Sequence, residues 1–348
     1  MNLNHGAGGA IMQRLIKDLM LKYPGDTTIK AEVSLEDLDD AGAIDEIILT
    51  TDSYTIKPLF FPGGDIGRLA ISGTVNDIAV MGADPVAMSS AFLIEEGFAI
   101  EDLEKILQSM HIACNESGVR IITGDTKVIE RGSLDNLIIN TSGIGKRSAL
   151  LDNNLQIVKK YRNNFKALWL KDSNIRSGDQ IILSGSIGNH GAAIMSARED
   201  FVSESNILSD VAPLNSMIKE GLAVGGIVSM KDPTRGGIAN LLNEWSEKSH
   251  LGILIDESKV QVNDNVKSAL GFLGIDPFEV GNEGKICIAV VKEKANEVLC
   301  ALRETKEGKD ASIIGEATDE FDVVVVNTVV GGKRILPTPA GDPIPRIC

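Results

Sequence analysis

The sequence predicts an α/β (α+β) protein built from two domains. Short apolar runs that end in glycine or acidic residues alternate with helically spaced apolar stripes along the whole chain. At 348 residues the chain exceeds one ordinary domain. Its 35 glycines and only 4% aromatics describe a globular protein with many tight turns. No period of about 20 to 50 residues repeats, which excludes a solenoid. The expected layout is a first domain over 1–150, a connecting segment over 151–177, a second α/β domain over 178–335 and a proline-rich flexible tail over 336–348.

Taken in order, His5, Gly6, Gly8 and Gly9 precede a helix whose apolar face carries Ile11, Leu15, Ile16 and Leu19. Such a loop can offer backbone N–H groups to an anion. A dinucleotide fingerprint fails, because Ile11 stands where a third glycine is required. His5 is a candidate phosphate donor or acid–base group, or a loop residue with neither role. The run from Glu46 to Thr51 predicts a strand that delivers Asp52 at its carboxyl end, where α/β proteins place ligands. After Gly63-Gly64, Asp65 caps a helix carrying Ile66, Leu69 and Ala70. Asp77 lies within its apolar continuation and needs a cation or a hydrogen-bond donor.

Val86 to Ile94 predicts a strand, and Ile100, Leu103, Leu107, Met110 and Cys114 the inward stripe of a helix. Val119 to Thr123 is a further strand leading into Gly124-Asp125-Thr126-Lys127. Alternation puts Asp125 and Lys127 on one face, as a phosphate contact or as an exposed pair. The strand Leu137 to Ile144 ends in GIGKRS, but a P-loop would need glycine at Asn140 and a hydroxyl at Arg147. The polar stretch from Arg147 to Ser177, with one apolar patch at 167–170, reads as the inter-domain connection.

The second half predicts a strand at 179–183, a glycine-rich turn with Asn189 and His190 opening a helix, and Asp232-Pro233-Thr234-Arg235 ahead of a helix carrying Ile238, Leu241, Leu242 and Trp245. Strands follow at 251–255, 285–291 and 323–326, with a helix at 294–303. Glu283 stands in the turn before the second of these strands.

The tail, Leu336 to Cys348, holds Pro337, Pro339, Pro343 and Pro345. Proline fixes φ and removes donors, so the tail predicts a stiff extended arm with a thiol on its last residue, or a frayed end. Cys114, Cys287 and Cys300 sit in apolar periodic segments and read as core, with no metal or disulfide spacing. A net charge of −15 disfavours nucleic acid and anionic membranes, and makes Mg²⁺ the natural intermediary for phosphates. No run of about eighteen apolar residues and no leader pattern occurs, so a cytoplasmic location is expected. Asp52, Asp77 and Asp232 form the candidate oxygen-donor set for Mg²⁺.

These segments carry a resemblance. TTDSY at 50–54, VNDIAVMGADP at 75–85, GDTKV at 124–128, GNHG at 188–191, DPTRGG at 232–237, NEGK at 282–285, the initial HGAGG and the final PRIC together resemble the HypE family of hydrogenase maturation factors. Several of these motifs are shared with the wider aminoimidazole ribonucleotide synthetase and selenophosphate synthetase superfamily. Asn189 replaces the usual Asp, and Ala7 a common Ser.

The resemblance implies a homodimer with the first domains as its core, and ATP with Mg²⁺ in a cleft between domains. It also implies the carbamoyltransferase HypF and the HypC–HypD iron scaffold as partners, for supplying the cyanide ligands of [NiFe] hydrogenase. Cys348 would receive a carbamoyl group that ATP dehydrates to a thiocyanate. Asp52, Asp77 and Asp232 would hold the metal, Lys127 and Asp125 would contact phosphate, and the loop 5–9 with Thr234 and Arg235 would complete the nucleotide site. His190 and Glu283 are the candidate bases. Another ATP-dependent synthetase or kinase of the superfamily, a nucleotide-gated scaffold and a thiol redox carrier remain as alternatives.

Overall fold

A computed structural model describes residues 1–23, 30–198 and 206–348. Helix α1 (Ala10–Asp18) is followed by the hairpin of β1 (Gly42–Ile44) and β2 (Ile47–Tyr54). A two-residue ribbon, β3 (Phe60–Phe61) with β4 (Gly64–Asp65), leads into α2 (Ile66–Val80), where the Asp65 carboxylate accepts the Arg68 N–H. Then come β5 (Ala83–Glu95), α3 (Ile100–Ser117), β6 (Arg120–Ile129) and β7 (Leu137–Arg147). The five longer strands form one sheet in the order β1-β2-β7-β5-β6, parallel only between β5 and β6. Helix α2 packs on this sheet and α3 on α2. All of α2 except Arg68 and Asp77 is buried, so its apolar sequence faces protein all round and Asp77 marks the side that opens.

The second half runs α4 (Ala149–Tyr161), β8 (Gln180–Leu183), α5 (Asn189–Arg198), α6 (Asn215–Val224), β9 (Ile227–Lys231) and α7 (Gly237–Ser249). It continues with β10 (Gly252–Asp256), α8 (Asp264–Phe272), β11 (Cys287–Val290), α9 (Ala295–Arg303), β12 (Ser312–Thr318), β13 (Val324–Asn327) and β14 (Lys333–Ile335). Seven strands form a mixed sheet in the order β14-β13-β10-β12-β8-β11-β9. Strands β9 and β11 are buried at every position, and β11 accordingly is apolar throughout. Among the described residues no helix is long and apolar enough to cross a membrane.

The structure corrects several sequence expectations. The stretch after Arg147 is not a bare connection. It contains α4, whose Leu151, Leu155 and Val158 join the core with Trp169, because its charges cluster on one face of an amphipathic helix. Strand β6 continues through Asp125 and Lys127. The inward stripe of α3 is Ile106, Met110, Ala113 and Cys114, while Ile100 and Leu107 face out. Cys300 is exposed on α9, whose buried positions are Val298, Leu299 and Leu302. Strands β9 and β12 and helices α6 and α8 have no counterpart in the sequence pattern, the first for lack of alternation in a strand buried on both faces. The tail does not fray. Leu336, Ile344 and Ile347 are all at most 2% exposed.

Candidate active site

A cavity of about 760 Å³ opens between the two halves. Its walls come from α1, the loop 34–42, β2, the end of β9, α7, Glu283 and Cys348. Asp52 reaches it from β2, Asp77 from the open side of α2, and Asp232 from the turn after β9. Three elements distant in sequence thus bring the three predicted carboxylates to one space. The Thr50 hydroxyl donates to Asp77 Oδ2 at 2.9 Å, and the Tyr54 hydroxyl to Asp52 Oδ2 at 3.2 Å. Burial, and then the charges of Asp52, Asp232 and Asp40, hold the Asp77 carboxyl well above the usual range. Burial followed by Asp40 raises Asp232 in the same direction.

A second set of charges, missed from sequence, closes the cavity's floor. Lys231 Nζ stands 2.7 Å from Asp40, 3.3 Å from Glu244 and 3.6 Å from Asp172. Lys248 Nζ lies 2.6 Å from Asp172 and 3.1 Å from Asp39. Because these carboxylates share two lysines and are buried, burial pushes Asp39 up to about 7 and Asp40 up to about 6 despite the pairing. The signal was present in the adjacent Asp39-Asp40 and in Lys231 beside Asp232, but a lysine next to an acid is too common to single out.

Among the described residues no group of carboxylates, histidines or cysteines stands arranged to hold a metal ion. The chemistry of the donors nonetheless suits an oxygen-seeking divalent cation. Asp52, Asp77 and Asp232 face one cavity and supply only carboxylate oxygens, and the neighbouring acids add to the burial that holds Asp77 and Asp232 up.

The arm carries its thiol into this cavity. Pro339 O accepts the Ala10 N–H at 3.0 Å, and Asp342 N–H donates to Ala7 O at 3.0 Å. The Asp342 carboxylate accepts the N–H groups of Gly236 (3.1 Å) and Ile344 (2.8 Å). Thr55 N–H donates to Cys348 O and Lys57 N–H to Arg346 O, both at 3.2 Å, a strand-like pairing beyond the end of β2. Burial pushes the Cys348 thiol far up, Arg235 opposing and Glu283 adding to the rise. The docked thiol, partly exposed at the cavity wall, is therefore held in its protonated form.

This seating redefines two predicted residues, His190 and Gly9. His190 does not line the cavity. Its Nε2 is 2.8 Å from Ile347 O, which can only accept, so Nε2 carries the proton and Nδ1 receives the Ser209 hydroxyl, also at 2.8 Å. Burial lowers its pKa, so the neutral ring is a fixed strut for the arm with no nitrogen free for proton transfer. Gly191 beside it leaves room for the arm, since a Cβ there would stand 2.8 Å from Ile344 Cδ1 and 2.3 Å from Val280 Cγ1. Gly9, at φ +36°, would place a Cβ 2.3 Å from Pro339 O, so the glycine loop grips the arm and its helix N-terminus is already occupied.

Of the remaining predictions, Gly8, Thr234, Arg235 and Glu283 line the cavity. Glu283 is 3% exposed with Oε1 unpaired, and burial first, then Asp232, holds its carboxyl well up. His5 contacts Asn2 outside the cavity, and Gly6 O accepts from Arg235 Nη1. Asn189 Oδ1 accepts from Ser186 and Asn263 at the start of α5, also outside. Asp125 and Lys127 pair with each other at 3.4 Å, both side chains more than 60% exposed, and do not reach the cavity of their own chain.

Comparison with known proteins follows this division of the chain. The AIR synthase related N-terminal domain matches residues 38–146 and the corresponding C-terminal domain residues 176–327. A protein of Methanocaldococcus jannaschii named for hydrogenase expression and formation is 50% identical, over 99% of this chain and 98% of its own length. The carbamoyl dehydratase HypE of Rhizobium leguminosarum bv. viciae is 43% identical, over 100% of this chain and 95% of its own. Among solved structures, a HypE–HypF complex superposes with a TM-score of 0.83 at 43% identity, covering 93% of this chain and 99% of that one. HypE in complex with ATP superposes at 0.79 with 39% identity, covering 99% of each.

Proposed function

The chain belongs to the carbamoyl dehydratase HypE family of hydrogenase maturation proteins, and we propose that its ATP-dependent dehydration takes place on Cys348 while the arm is docked. The observation that carries this is the placing of the last residue in the wall of the same cavity as Asp52, Asp77, Asp232 and Glu283. An amide oxygen is a poor leaving group, and phosphorylation makes it a good one. The S–C(=O)–NH₂ oxygen attacks the γ-phosphorus of ATP, ADP departs, and one nitrogen proton passes to a base, leaving S–C(OPO₃)=NH. Loss of phosphate with the remaining nitrogen proton then leaves S–C≡N on the protein.

Alignment and charge neutralisation do most of the work in such a transfer. Mg²⁺ held by Asp52, Asp77 and Asp232 would supply neutralisation for the triphosphate. Thr234, Arg235 and the Gly8 region border the space for its phosphates. Glu283 is the preferred base, because it lines the cavity, has one oxygen without a hydrogen-bond partner, and as a carboxylate that resists ionisation takes protons readily once ionised. His190 and Thr55 hold the arm so that the sulfur stays in place. Prolines in the arm limit the entropy lost on docking. Because the docked thiol is protonated, loading with the carbamoyl group belongs to the undocked arm, at HypF.

Lys127 and Asp125 enter through a second chain. All of β6 except Ile129 is exposed, including Ile121, Ile122 and Val128, which supports pairing of the first domains into a homodimer. In that arrangement the two side chains of one copy serve the cavity of the other as phosphate contact and organiser. Delivery to a HypC–HypD scaffold, and a cytoplasmic location, complete the reading.

The test is mass spectrometry of the C-terminal peptide after incubation with HypF, carbamoyl phosphate and MgATP. Carbamoylation of Cys348, followed by ATP-dependent loss of one water, is expected. An unmodified Cys348 beside active HypF sinks the proposal in favour of a small-molecule synthetase.

A further inference from the structure

The arm is anchored by apolar side chains, but Arg346 among them is held by a different device. Ile344 and Ile347 are buried against α5 and Val280, whereas Arg346 between them turns outward in the left-handed region at φ +55°. That turn lets Arg346 grip both sides of one short segment. Its carbonyl accepts from Lys57 N–H at 3.2 Å and from Arg198 Nη2 at 2.8 Å. Its Nε donates to Thr55 O at 2.9 Å, and its Nη1 to Asp135 Oδ2 at 2.6 Å. Asp135 Oδ2 also accepts from Lys57 Nζ at 2.8 Å, and Oδ1 from Asn136.

Asp135 lies on the β6–β7 connection and is not among the residues that line the cavity. It binds the arm's only guanidinium and, through Lys57, the segment that pairs with Cys348 O. We propose that Asp135 is a positioning residue, a latch on Arg346 that sets the balance between docked and undocked Cys348. This rests on the reading of Cys348 as the reacting group only for its purpose; the latch itself concerns docking. The paired cations also hold the Asp135 carboxyl below its ordinary range, in keeping with an acceptor engaged from two sides. An exposed latch is suited to this place, since it is strong enough to bias the arm and weak enough to open.

The test reads thiol exposure in the full-length protein without nucleotide or partner, so it stays interpretable even if carbamoyl chemistry proves absent. Iodoacetamide labelling is followed by peptide mass spectrometry, with exposed Cys300 as the reference in the same molecule. Asp135→Asn is expected to raise the Cys348-to-Cys300 labelling ratio roughly fivefold. Asp135→Glu is expected to restore the original ratio, and about 0.5 M salt to raise it in the unaltered protein, because a salt-exposed pair is screened. An unchanged ratio in Asp135→Asn overturns the latch. So does an equal rise in Lys57→Met, which leaves the Arg346–Asp135 pair in place and would assign the effect to the 55–57 segment alone. Should Asp135→Asn fold poorly, Arg346→Gln removes the same bond from the other side and carries the same two outcomes.

Discussion

The terminal arm and strand β6 are both segments that sequence reasoning placed at the chemistry, and the fold treats them in opposite ways. The arm has no regular structure, yet its carbonyls are taken by Ala10, Lys57, Thr55 and His190, and its apolar side chains are buried. Strand β6 has full regular structure, yet it leaves isoleucines and its Asp125–Lys127 pair in solvent. A segment that finds its partners within one chain is finished there. An edge strand with open hydrogen-bonding groups and apolar side chains is finished by something else. Regular secondary structure is thus a poor guide to which segment is satisfied.

The sharpest break between the two regions is chemical. Cys348→Ser is expected to abolish formation of the ATP-dependent dehydrated adduct, while ATP binding and melting temperature stay near the unaltered protein. Retained turnover would show that the arm is a structural strap only. Next comes the edge. Ile122→Lys on β6 is expected to shift the protein to monomer in sedimentation, and Lys127→Met to lower turnover by a factor of about 10² to 10³ with the dimer intact. If Ile122→Lys leaves the association state unchanged, the parallel between the arm and an unfinished edge fails.

Removing the strut is a smaller change. His190→Ala deletes the bond to Ile347 O and leaves that carbonyl unmet, a cost of about 1–3 kcal/mol. Labelling of Cys348 relative to Cys300 should rise by about 5- to 150-fold, while turnover at saturating ATP falls only in proportion to the docked fraction. A pH-independent loss of turnover far beyond that fraction would restore His190 as a base.

The smallest effect concerns the cavity's carboxylates. Asp39 and Asp40, at about 7 and about 6, lie above the ordinary 3.8, so the folded protein holds these protons more tightly than the unfolded chain. Their contribution to stability is fully present below about 3.8 and is lost progressively as pH rises from there through about 6 to 7. Without metal, the melting temperature should decline over that window. Asp77 and Asp232 are also held well above the usual range and must give up their protons to hold Mg²⁺, so its apparent affinity, followed by the shift in melting temperature, should rise with pH. A flat affinity would mean that these two acids are already ionised or do not hold the metal.

Much of the candidate site is legible in the amino-acid order. Asp52 near the end of an apolar strand, Asp77 inside an apolar helix and Asp232 before proline are conspicuous because a carboxylate in such surroundings needs a reason. Glu283 stands out only by its turn, and its unpaired oxygen is visible only in the folded chain. The glycines at 6, 8 and 9 mislead, because a glycine that makes room for a carbonyl looks the same in sequence as one that exposes its N–H to phosphate. His190 misleads for a related reason. A histidine's chemistry depends on whether its nitrogens are free, and both are committed to groups 19 and 157 residues away.

The amino-acid order by itself determined the alternation of strands and helices, the acidic oxygen donors and the stiff, donor-poor arm, because periodicity, charge and proline geometry act over a few neighbouring residues. Only the tertiary structure decided where the arm goes, that Lys231 and Lys248 meet three buried aspartates, and that Lys127 stays away from its own cavity. Those outcomes depend on packing between segments hundreds of residues apart, where burial removes water and makes each pairing count in a way that no local pattern records.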